Sequence, residues 1–110
     1  MSDSEPPDAF AIGAFDGDEL VAVGLIGPDG EPGSWRVRGM AAVPAVRGRG
    51  VGTAVLGALL DHARREGAST VWASVRTPAR RLYERAGLRA VSEEFDEPMI
   101  GPHVLMRRAL

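Results

Sequence analysis

Three features of this chain bring together side chains capable of chemistry. The first is the run Arg47-Gly48-Arg49-Gly50-Val51-Gly52-Thr53. Glycines at 48, 50 and 52 leave the backbone open to a ligand. When a helix follows directly, its first turn presents about four amide N–H groups without intrahelical partners. Those amides and the helix dipole favour an anion such as pyrophosphate, and Arg47 and Arg49 can add charge-assisted contacts. The second feature is Tyr83, the sole tyrosine, a residue type that holds its proton at neutral pH. The third is His103, of the residue type that exchanges protons near neutrality.

Other chemistries are excluded by what is missing. The chain has no cysteine, so disulfides, thiolate metal sites and cysteine nucleophiles are ruled out. Its two histidines, His62 and His103, are too far apart for a local metal motif, and no metal is expected. A dinucleotide fingerprint needs glycine at 53 or 55, where the chain has Thr53 and Val55; a nucleoside-triphosphate loop needs lysine, and there is none.

The loop must be held between a strand and a helix, and the surrounding pattern supplies both. Phe10 to Phe15, an Asp16-Gly17 turn and Leu20 to Ile26 read as a hairpin. Breakers from Pro28 to Gly33 precede a third strand, Trp35 to Val43, ended by Pro44. Val51, Val55, Leu56, Leu59, Leu60 and Ala63 follow helical spacing, and Gly67 stops that helix. Thr70 to Val75 is a short strand, Pro78 opens a second helix through Ala86, and Leu88 to Glu94 and Val104 to Met106 are two closing strands. The order βββαβαββ implies a mixed α/β fold, with one parallel pair across the helical crossover and two main helices packed on the sheet.

At 110 residues one domain is expected, over 9–110, behind a disordered leader at 1–8 that contains two prolines. The net charge of −2 and pI near 5.6 argue against a general nucleic-acid or membrane-surface binder. The N-terminus is acidic where a signal peptide is basic and then apolar, and no long apolar run is present, so the cytoplasm is the expected compartment. All thirteen basic residues are arginine, and residues 36–89 hold eleven of them against three acids, a local net charge of +8. An excess of that size points to an anion meeting the middle of the chain.

Arg47, Gly50 and Gly52 match an R/Q-x-x-G-x-G/A signature, and here the sequence resembles the GCN5-related N-acetyltransferase (GNAT) superfamily. Upstream, Met40-Ala41-Ala42-Val43-Pro44 is similar to the family strand that ends in "LAVxP". Downstream, Arg76 to Leu88, including Ala79 and the run Leu82-Tyr83-Glu84-Arg85-Ala86-Gly87, resembles the family's "N-xx-A-xx-LYEKxGF" segment. The tail Ile100-Gly101-Pro102-His103 is similar to a bacterial subgroup ending near "GIPHxxM". Arg76 stands where the family carries asparagine, and the strand and two helices that usually precede the hairpin are not expected in this chain.

The resemblance implies an acetyl-CoA-dependent N-acetyltransferase, with acetyl-CoA as co-substrate and direct attack of an amine on the thioester. The cofactor-binding residues it implies are Met40 to Val43, Arg47 to Thr53, Arg76 and Ala79, with a backbone amide near Ala42 and Val43 as oxyanion donor. Tyr83 is the implied general acid. Glu94, Asp96, Glu97 and His103 are base candidates by location, with His103 placed first for its titration range. The implied partner is a small-molecule or peptide amine. A homodimer through the strand edge at 10–15 would complete an acceptor wall that the missing helices leave open. The alternative reading is an acetyl-CoA-binding protein without efficient catalysis.

Overall fold

A computed structural model describes residues 9–110; the leader expected at 1–8 lies outside the described residues. The hairpin forms as β1 (Phe10–Asp16) and β2 (Glu19–Pro28), turned by Gly17 at φ +62°. A glycine is needed there because L side chains rarely adopt positive φ. β3 (Ser34–Ala42) pairs antiparallel with β2, and Arg38 bulges out of that ladder, since Val37 faces Ile26 and Gly39 faces Leu25. The chain then crosses over through α1 (Val51–Arg65) to β4 (Thr70–Arg76), which runs parallel to β3.

A 3-10 turn, Thr77–Ala79, contains Pro78 and leads into α2 (Arg80–Arg85), shorter than the helix expected from Pro78 through Ala86. The end of the chain differs from expectation. In place of one strand from Leu88 to Glu94 there are two, β5 (Arg89–Ala90) and β6 (Phe95–Glu97), and both pair with β7 (Gly101–Ala109). The interruption has a local cause. The Leu105 amide donates to the Ser92 hydroxyl at 2.9 Å where a strand would offer a carbonyl, and four residues, 91–94, bulge opposite two. Seven strands result, in the order β1-β2-β3-β4-β7-β5, with β6 beside β7.

Both helices pack on one face. Leu56, Leu59 and Leu60 of α1 and Tyr83 of α2 share a buried core with Val71, Ala73 and Val75 of β4 and with Leu88, Val104 and Met106. At Gly24 a Cβ would stand 2.8–2.9 Å from atoms of Val55, Leu59 and Met40, so glycine lets α1 approach β2 closely. Strand alternation sends Val23, Trp72, Ser74 and Leu105 to the opposite face. No helix among the described residues covers that face, and Val23, Leu20 and Phe15 are 40%, 47% and 65% exposed.

Candidate active site

The site originates where the central sheet comes apart. β3 and β4 pair only at Ser34, Trp35 and Arg36 against Thr70, Val71 and Trp72. Beyond these, β3 stays with β2 as far as Ala42, whereas β4 stays with β7 as far as Arg76. The strands diverge because each is held by its other neighbour, and a cleft of about 850 Å³ opens between them. Along β3 the amides alternate in direction. Val43 donates to the Val21 carbonyl at 2.9 Å, so the amides of Met40 and Ala42 point the other way, into the gap. The amide of Val43, expected beside Ala42 as an oxyanion donor, is already bonded within the sheet.

The glycine loop closes one end of the cleft. Gly48 and Gly50 both sit at φ +81°, and an added Cβ at either would meet nothing within 4 Å. Glycine is therefore required by backbone conformation rather than by crowding. Gly50 is the N-cap of α1 and supplies no side-chain cap, and no acid stands in the first turn, while His62, Arg64 and Arg65 occupy the last. The opening amides of α1 are thus free for an anion, with the helix dipole directed to favour it. Arg47 donates back to the Ala42 carbonyl at 3.4 Å, tying the loop to the end of β3.

The lining is strongly one-sided in charge. Arg38, Arg47, Arg76, Arg81 and Arg85 line the cleft, and no carboxylate among the described residues does. Arg81 and Arg85 were not among the expected site residues. Their spacing of four on one helix, within the basic middle of the chain, was the available signal, but it equally fits a solvated helix face. Arg38 and Ser74 were likewise missed, since only the parting of β3 from β4 turns them inward.

Tyr83 projects from α2 into this cleft and is 6% exposed. Burial pushes its hydroxyl up to about 12, because desolvation disfavours the phenolate. His103 also lines the cleft and is 6% exposed. Its Nδ1 lies 2.9 Å from the Gly101 carbonyl oxygen; a carbonyl only accepts, so Nδ1 carries the hydrogen and Nε2 of the neutral ring keeps a lone pair. Phe95 packs beside the ring at 6.0 Å between centroids.

The structure brings Met40, Ala41, Ala42, Arg47, Gly48, Gly50, Gly52, Thr53, Arg76, Ala79, Tyr83 and His103 to one cleft. Val43, Arg49 and Val51 do not line it. Nor do Glu94, Asp96 and Glu97, and Glu94 instead accepts from the Thr77 hydroxyl at 3.2 Å. His62 is engaged elsewhere, stacked on Phe10 at 3.7 Å. Among the described residues no three His, Asp or Glu side chains cluster to hold a metal.

Comparison with known proteins bears on this geometry. The family model described as "Acetyltransferase (GNAT) family" matches residues 2–88. An uncharacterized N-acetyltransferase of Bacillus subtilis, YitI, is 26% identical over 107 residues, covering 93% of this chain and 72% of the relative. A GCN5-related N-acetyltransferase from Kribbella flavida superposes with a TM-score of 0.80 at 27% identity, over 100% of this chain and 72% of that one. An aminoglycoside 6'-N-acetyltransferase complexed with coenzyme A shares the fold, with a TM-score of 0.81 at 17% identity over 94% of this chain and 73% of its own.

Proposed function

The chain belongs to the acetyltransferase (GNAT) family, and from that premise we propose that it transfers an acetyl group from acetyl-CoA to an amine by direct attack on the thioester. The observation that carries this reading is the cleft where β3 and β4 part, closed by a glycine loop and lined by five arginines and no carboxylate among the described residues. Acetyl-CoA brings several phosphate charges, which such a lining suits. The likeness of the fold to a structure complexed with coenzyme A supports the same substrate.

The geometry supports the following roles. Bound acetyl-CoA supplies an activated acyl group. The free opening amides of α1, with Arg47, Arg76, Arg81 and Arg85, hold its anionic end. The amides of Met40 and Ala42 donate to oxygen in the gap between the strands. His103 Nε2 accepts the proton released by the attacking amine, since His103 is the one lining residue among those described with a free basic lone pair. Tyr83 donates a hydrogen bond to the departing sulfur. Full proton transfer from a hydroxyl held at about 12 to a thiolate of ordinary pKa ~8.5 runs uphill by about 5 kcal/mol. Tyr83 therefore stabilises developing charge, and the sulfur takes its final proton from the amine by way of His103 or from water.

The test is CoA release with an amine panel. Tyr83→Phe should lower kcat about a hundredfold, the lower end of the range for removing a donor that stabilises developing charge, while the affinity for acetyl-CoA is kept. His103→Gln should lower kcat at least as far. Tight acetyl-CoA binding with no CoA released to any amine would favour the alternative, a binding protein without efficient catalysis.

A further inference from the structure

On the helix-free face of the sheet, two arginines stand beside the cleft with hydrogen-bonding capacity unused. Arg36 and Arg38 project from β3 opposite to the buried Trp35 and Val37. Arg36 is the last residue of β3 to pair with β4, where it faces Trp72, and its guanidinium carbon lies 4.7 Å from the Trp72 ring centroid. That stacking orients the guanidinium fork. Arg38 bulges from β3 just beyond the pairing and lines the cleft.

Asp29 compensates this pair only in part. Its Oδ2 is 3.7 Å from Arg36 Nη1 and 3.6 Å from Arg38 Nη2, beyond hydrogen-bond range, and it brings one charge against two. The Nε atoms of both arginines are shut off from solvent and have no hydrogen-bond partner. A buried charged donor left unmet is destabilising. Two guanidinium groups, left with a net charge of +1 beside Asp29, fit a single carboxylate, whereas a phosphate dianion would overshoot the charge.

His103 lies on the same face. Trp72, Ser74 and Arg76 alternate along β4, and Arg76 pairs with His103. Trp72 and Arg76 are separated by about 13 Å of strand, a span that an arginine side chain and a small amino acid bridge together. Resting on the acetyl-transfer reading above, we propose that the acceptor is an amine that carries a carboxylate, of the amino-acid class, with Arg36 and Arg38 receiving the carboxylate while the amine faces His103.

Two readouts test this. N-acetylglycine and N-acetylleucine, products of the proposed class, should raise the melting temperature more than their C-terminal amides do, and the difference should vanish in Arg38→Gln. In a CoA-release assay, free amino acids should exceed their amides and their decarboxylated amines in kcat/KM by about tenfold or more, with the ratio falling towards one in the same variant. Arg36→Gln serves the same purpose if Arg38→Gln does not fold. Equal stabilisation by acids and amides, or a preference that survives the substitutions, overturns the proposal whatever the turnover. Failure of acetyl-CoA itself to bind would instead remove the acetyl-transfer reading.

Discussion

Tyr83 shows how much a single side chain depends on where it is buried. As the only tyrosine it can be titrated directly by its absorbance, and its midpoint should lie near 12 rather than the ordinary 10. The linkage has a definite sign. The unfolded chain loses this proton near pH 10 and the folded chain only near 12, so the contribution is full below 10 and fades as pH rises from 10 towards 12. Denaturation of the native chain should lose about 2–3 kcal/mol across that window, and Tyr83→Phe should flatten this part of the slope. A midpoint of 10 in the folded protein would show the hydroxyl to be solvated. Tyr83 was visible in the sequence by its uniqueness and by the segment around it. The assignment of His103 Nε2 as the basic nitrogen was not, because it depends on the Gly101 carbonyl accepting from Nδ1.

At the level of elements, the glycine loop separates two roles that its composition leaves merged. Gly50 is left-handed, whereas a Cβ on Gly52 would only touch Leu82 at 3.6 Å, ordinary contact. Gly50→Ala should therefore destabilise by about 1–2 kcal/mol, and Gly52→Ala should stabilise by roughly 0.5–1 kcal/mol through helix propensity. Chemical denaturation checks both, and a destabilised Gly52→Ala would mean that Leu82 leaves no room for the methyl group. A similar contrast holds at the bulge before β6. Ser92→Ala removes the acceptor of the Leu105 amide and should cost about 1–3 kcal/mol if no water replaces it. The strand expected from Leu88 to Glu94 missed this bulge because a serine hydroxyl standing in for a backbone acceptor leaves no mark on hydrophobic pattern.

Taken as a whole molecule, the chain gathers positive charge at one cleft while its net charge is −2. Acetyl-CoA at a hundred times its dissociation constant should stabilise the fold by about 2.7 kcal/mol, several degrees in melting temperature. Its affinity should fall as salt rises from about 0.05 to about 0.5 M, because screening weakens contacts to the exposed arginines first. An affinity indifferent to salt would place the ligand away from Arg47, Arg81 and Arg85. The uncovered sheet face bears on the homodimer proposed through β1. The exposed Phe15, Leu20 and Val23 lie beside that edge, and sedimentation should show a concentration-dependent mass that Phe15→Glu reduces to the monomer.

The amino-acid sequence by itself determined the local features of this protein. It placed the hairpin, the glycine-rich loop, the amphipathic α1 and the concentration of arginine in the middle of the chain. Each is decided over a few neighbouring residues, by breakers, by periodicity or by charge. Only the tertiary structure decided that β3 and β4 part after Arg36, that Arg81 and Arg85 face the same cleft as the loop, that Val43 spends its amide on Val21, and that Glu94 turns aside to Thr77. The strands part because β2 keeps β3 as far as Ala42 while β7 keeps β4 as far as Arg76. All four depend on contacts between segments far apart in the chain, which leave no short-range pattern.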